Sequence, residues 1–345
     1  MLVGCGSGAA NHEADSPSIA GEAGTRADHG EAADETLILR GQTGVRIEGR
    51  AITAERSIVV EDCQDITIID CDLRQVEVSG SSNIRILNCQ LHDAAGDAVY
   101  FDDCSEVLVQ GNRIERVRTG VLVHRSTGVR VIGNYVVDVQ GPLPGGQLVQ
   151  FDKVTGGGNI IAGNVGVNHR DSSNPEDMIS IYMSHGTEES PILIEGNDLS
   201  ADPIHGSAGK SDSGSGIMLG DNGGSWQSAQ GNILRSPGQV GIGVASGEHI
   251  VVESNYIVGH QSDVSNVGLY VWNQYEDQAA GRVTVTGNTV EWTNAAGDQN
   301  PYWDGGGFSF VYLDGNLFSG RDTFGPLELP ERPTGPLVPY VEPNE

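Results

Sequence analysis

The sequence predicts an all-β solenoid, a right-handed parallel β-helix with three strands per coil and about ten coils. Three observations carry that reading. A strand–turn–strand phrase recurs along the chain, from DITIIDCDL and NIRILNCQL through GVRVIGNYV and PILIEGNDL to RVTVTGNTV and FVYLDGNLF. A further strand precedes most copies, visible as DAVYFDD, GVLVHRS, QLVQFDK, MISIYMS, GIMLGDN, VGIGVAS and VGLYVWN. The composition, 49 glycines with only 19% charged residues, suits many short strands joined by tight turns.

The turn residue of the phrase is Cys71, Cys89, Asn112, Asn134, Asn164, Asn197, Asn232, Asn255, Asn288 and Asn316. A small polar side chain at such a bend can bond its copy one coil away, so an amide ladder should run beside the backbone ladder. Aliphatics alternating along each strand fill the interior. Cys71 and Cys89 take equivalent places in neighbouring coils. A coil spacing of about 4.8 Å would permit a disulfide, but two stacked thiols continuing the asparagine row is the simpler expectation. Cys63 and Cys104 fall two coils apart and should not pair.

The solenoid is expected over residues 36–320. Residues 1–35 open MLVGCGSG, and Leu2-Val3-Gly4-Cys5 resembles a bacterial lipobox, whose cysteine is lipidated. That resemblance implies an extracytoplasmic place, periplasm or cell surface, with Cys5 as membrane anchor. The small, acidic remainder of the segment reads as a disordered tether. Residues 321–345 hold six prolines and read as an extended tail. No run of 18 apolar residues is long enough to span a bilayer.

Charge narrows the partners. A formal net charge of −28 repels a nucleic-acid backbone, so no nucleic-acid partner is expected. The same field opposes an anionic polysaccharide unless calcium or a basic patch reverses it locally. No cofactor is required by this reading; calcium is the one candidate, with Asp171, Glu176 and Asp177 as candidate ligands, although no known calcium loop motif is present. A monomer is expected. Lys153 and Lys210 are the only lysines, which gives each more weight.

Insertions locate the chemistry. The longest intervals between turn residues lie from Asn134 to Asn232 and from Asn255 to Asn288, and solenoid insertions border one face. All of them abut the third strand, which should floor a walled groove. If Val99 and Phe101 point inward, alternation turns Tyr100 and Asp102 outward, followed by Leu122 and His124, then Gln150 and Asp152. Ser180, Tyr182 and Ser184 follow, then Met218 and Gly220, Gly243 and Ala245, and finally Tyr270 and Trp272. Acid, imidazole and phenol groups in the middle and aromatic surfaces at the far end suit an oligosaccharide or polysaccharide. Tyr100, Asp102, Gln150, Tyr270, Trp272 and Lys210 are the candidate binding residues.

In-register repeats with three strands per coil resemble the right-handed parallel β-helix, or pectate-lyase-like, superfamily over roughly residues 36–320. The resemblance implies a polysaccharide lyase acting on a uronate-containing glycan by β-elimination. By residue type and face it places Lys153 as base and Arg170 as neutraliser of the uronate carboxylate. Asp152 accompanies them, and His124, Tyr182 and His169 are alternative proton carriers. Polygalacturonase-like hydrolases of the superfamily carry a Gly-His-Gly element; His185 and His205 have only the following glycine, which disfavours hydrolysis. A uronate epimerase and a non-enzymatic glycan-binding lipoprotein are the other readings. A plainer reading pairs Lys153 with Asp152 as a surface salt bridge.

Overall fold

The computed structural model describes residues 33–142, 145–169, 172–201, 214–261 and 267–319. Residues 1–32 and 320–345, with Cys5 and the proline-rich segment, lie outside the described residues, as do Arg170, Asp171 and Lys210. Within the described residues 32 strands wind into coils with three faces, and every strand ladder between neighbouring coils is parallel. One face forms a sheet of 11 strands, while the other two join in a second sheet. The 11-stranded face begins before the first turn cysteine with Ala51–Ile52, whose coil carries Arg50 where the later coils carry Cys or Asn.

The turn that repeats through the chain has a two-residue logic. The residue before each ladder position adopts a left-handed backbone, as at Asp70, Asn88, Gly111, Gly133 and Gly163. Glycine does so without the steric cost a side chain meets, which explains the recurrent Gly-Asn pair. The asparagine then turns inward. Asn134 Nδ2 donates to Asn164 Oδ1 at 3.0 Å and Asn164 Nδ2 to Asn197 Oδ1 at 2.9 Å, and the row continues to Asn316. Each amide oxygen also accepts a backbone N–H from the coil before it, so these buried groups are satisfied. Cys71 and Cys89 extend the row as free, buried thiols.

A second, smaller ladder lies at the corner after the third strand. Asp103, Arg125, Lys153 and Met183 take the left-handed conformation there, and small side chains follow. The Cys104 N–H donates to Ser126 Oγ at 3.0 Å and the Val154 N–H to Ser184 Oγ at 2.9 Å. Ser184 therefore points inward, not onto the floor as strict alternation predicts, because the left-handed residue before it reverses the pattern.

Inside the coils, side chains stack in columns. Val99, Val121, Val149, Ile179, Ile217, Ile242 and Leu269 are register partners in succession, all buried. Interior packing at this density leaves no spare room. Gly166 illustrates the constraint: a Cβ there would collide with the Leu148 side chain, which fills the space opposite.

Candidate active-site groove

The outer side of the third strands carries two rows set by register. Tyr100, Leu122, Gln150, Ser180, Met218, Gly243, Tyr270 and Trp303 form one, and Asp102, His124, Asp152, Tyr182 and Asp221 the other. The last member of the second row departs from alternation. A bulge between the strands Asp177–His185 and Ser215–Gln230 brings Asp221 opposite Tyr182, where Gly220 was expected to face out. Gly220 has φ near +60°, and a Cβ on it would collide with the Ser246 carbonyl oxygen. The bulge needs glycine, and bulges of this kind re-aim side chains beside functional sites.

Two adjoining cavities lie over these rows. One, of about 440 Å³, is bordered by Arg118, Leu122, Gln150, Asp152 and Tyr182. The other, of about 600 Å³, is bordered by Asp177, Met218, Gln239, Tyr270, Trp272, Asn300 and Trp303. Glu176, Asp221 and Tyr275 line both, so they stand where the cavities meet. Glu176 ends the loop leading into the third strand on one side, and Asp177 is that strand's first residue. Tyr275 comes from the loop leaving it on the other.

Each of the three carboxyl groups is held and perturbed. Gln147 Nε2 donates to Glu176 Oε2 at 2.6 Å, and the Tyr275 hydroxyl donates to Asp221 Oδ1 at 2.6 Å. Burial pushes the Asp177 carboxyl up to about 7, against a hydrogen bond from Ser215 and with help from the charges of Glu176 and Asp221. Burial also raises Glu176 and Asp221 above the usual carboxylate range. Desolvation disfavours the charged form of an acid, and neighbouring carboxylates oppose one another's ionisation. Clustered, perturbed acids in a cleft make a candidate functional site. Among the described residues no group of three or more His, Cys, Asp or Glu side chains converges to hold a metal ion.

The aromatic end is built in layers. The Tyr270 ring lies back over Gly243, where a Cβ would meet it at 2.7 Å, and its hydroxyl reaches Met218 Sδ and Gln274 Nε2. Tyr270 is thereby covered, at 8% exposure, and braces the floor instead of offering a ring face. The open surfaces belong to Trp272 and Trp303, 39% and 45% exposed, with ring centroids 5.3 Å apart.

Of the residues singled out from sequence, Gln150, Asp152, Tyr182, Tyr270, Trp272, Glu176 and Asp177 line the cavities. The Tyr182 hydroxyl accepts from Asn222 Nδ2 at 2.8 Å. Other candidates stand apart from the cavities. Tyr100 and Asp102 lie nearer the N-terminal end of the floor, where Arg125 grips Asp102 with two nitrogens. His124 Nδ1 is 3.0 Å from Asp102 and its Nε2 is 3.8 Å from Asp152. Lys153 occupies a left-handed corner, its Nζ 3.3 Å from Asp152 Oδ1 and 5.9 Å from the Tyr182 ring centre. His169 Nδ1 is fixed at 2.8 Å from Asp138 Oδ1. Asp221, Tyr275 and Trp303 were not anticipated. The lengthened GDNGG stretch at Gly220–Gly224 was the readable sign of the first, and the register of YWDGG with VGLYVWN that of the last.

A family model described as "Right handed beta helix region" matches residues 36–181. The described residues have the right-handed parallel β-helix fold. No curated protein matches its sequence. Among solved structures, this β-helix is similar to the Streptococcus pneumoniae surface protein and adhesin PfbA, at 11% identity and TM-score 0.52, covering 85% of this chain and 83% of that one. It is also similar to the catalytic domain of a GH87 α-1,3-glucanase in complex with tetrasaccharides, at 14% identity and TM-score 0.50. That match covers 81% of this chain but only 56% of the glucanase chain, so the β-helix spans little more than half of it. An alginate lyase from a Paenibacillus strain aligns at 12% identity and TM-score 0.49, over 74% of this chain and 91% of that one. At such identities the likeness is one of fold, which serves many functions.

Proposed function

We propose that the protein is a glycan-active enzyme whose groove hydrolyses a glycosidic bond by acid–base chemistry. One observation carries the reading: Glu176, Asp177 and Asp221 cluster where two cavities join, on a floor ending in exposed tryptophans. Asp177, with its carboxyl raised to about 7, keeps a proton near neutrality and gives it to the glycosidic oxygen as the C–O bond breaks. Asp221 takes a proton from the attacking water, whose hydroxyl bonds to the anomeric carbon; Tyr275 orients it. Glu176 keeps negative charge beside Asp177 and so favours its protonated form.

β-Elimination needs a base next to a cation that neutralises a uronate carboxylate. Lys153, its proposed base, borders neither cavity and lies against Asp152, so the carboxylate cluster is the better supported machinery. Binding without cleavage is the second reading, favoured by the exposed Trp272 and Trp303 pair. A glycan substrate suits an extracytoplasmic place, to which Cys5 would tether the chain if lipidated.

The test is incubation of the purified protein with a polysaccharide panel, following reducing ends and the ultraviolet absorbance of unsaturated products. Reducing ends without absorbance support hydrolysis. Rising absorbance would establish a lyase instead, and glycan binding with neither signal would establish the binding reading.

A further inference from the structure

The charge balance of the groove deepens this reading and rests on it. Four carboxyl groups, from Asp152, Glu176, Asp177 and Asp221, line the two cavities. Among the described lining residues they face a single cation, Arg118, whose guanidinium is already committed to Asp97 through bonds of 2.9 and 2.7 Å. The cations at the edge of the floor are matched in the same way, Lys153 with Asp152 and Arg125 with Asp102.

From this we infer that the groove takes a neutral glycan, not a uronate-containing one. Each uronate carboxylate entering the cavities would meet several carboxyl groups within a Debye length, in a chain of net charge −28, with no uncommitted cation among the described residues that line the cavities. A neutral sugar meets no such opposition. Its hydroxyls find amide partners in Gln150, Gln239 and Gln274, and carboxylates accept hydroxyl hydrogen bonds well. Its apolar ring face finds Trp272 and Trp303.

Calorimetric titration of the full chain carrying Asp177→Asn, a near-isosteric change that should slow turnover by about 10²–10⁴-fold, separates the classes. The ligands are neutral gluco-, xylo- and manno-oligosaccharides against oligogalacturonate, oligoalginate and oligoglucuronate, each at low and high salt and with and without calcium. The expected result is binding of at least one neutral series with affinity moving less than about twofold with salt, and uronates weaker by about tenfold or more at low salt. A uronate that binds as tightly as the best neutral ligand, alone or with calcium, overturns the inference and leaves the glycan-active groove standing. If wild-type protein neither binds nor cleaves any member of either class, the groove reading falls and the inference falls with it.

Discussion

At the scale of the residue, Asp177 carries two separable consequences of one burial. Its carboxyl, 6% exposed, holds its proton up to about pH 7, whereas in the unfolded chain it would ionise near pH 4. Between those values the folded chain binds a proton that the unfolded chain does not, so this site's contribution to stability declines as pH rises through that window and levels off above it. Asp177→Asn should therefore match wild type in melting temperature at about pH 4 and exceed it at about pH 8, a comparison that thermal melts across pH read directly. In activity the same substitution should cost about 10²–10⁴-fold in kcat, because a positioned acid contributes roughly that much. Wild-type turnover should fall above about pH 7, as the acid loses its proton. Lys153→Ala provides the contrast: its ammonium is exposed and borders neither cavity, so kcat should stay within about twofold of wild type.

At the scale of the element, the ladder and the bulge answer to different information. Asn164 accepts from the Asn134 N–H and Nδ2 and donates to the Val131 carbonyl and to Asn197. Asn164→Ala strips partners from buried groups in the two neighbouring coils and should cost about 3 kcal/mol or more, whereas Asn316→Ala at the half-buried end of the row should cost about 1 kcal/mol. Chemical denaturation of the two variants checks the ordering. This row was legible in the sequence because the Gly-Asn turn is local, with backbone and side chain specified by adjacent residues. The alternation of Tyr100, Asp102, Gln150 and Asp152 was legible for the same reason. Asp221 was not, because its direction depends on Gly220 pressing against Ser246, 26 residues further on. Tyr275 reaches the floor from a loop without periodicity, and the acid pair Glu176–Asp177 was visible as charge while its partner across the groove was hidden. Lys153 drew notice by its rarity, yet the left-handed corner that holds it turns on tertiary register, not on composition. Gly220→Ala should move Asp221 and lower kcat by about tenfold or more, alongside a loss of stability from the backbone clash.

At the scale of the whole molecule, the solenoid converts register into a ruler. Leu122, Gln150, Ser180, Met218, Gly243, Tyr270 and Trp303 are successive register partners, so at about 4.8 Å per strand the floor from Leu122 to Trp303 runs about 29 Å. Glu176, Asp177 and Asp221 sit near its middle, with the tryptophans toward the C-terminal end and Gln150 and Asp152 on the other side. A glycan laid along the axis is then gripped on both sides of the bond that breaks, and each grip matters only to a chain long enough to reach it. Trp303→Ala should raise KM for long oligosaccharides by about two- to tenfold, since stacking on an aromatic face contributes roughly 0.5–1.5 kcal/mol, and should leave kcat nearly unchanged. The shortest cleavable substrate should scarcely notice the change. Measuring KM and kcat against chain length for wild type and Trp303→Ala tests this arrangement. A uniform loss at all lengths would place the tryptophan beside the reacting bond, and no loss at any length would remove the C-terminal end from the binding surface.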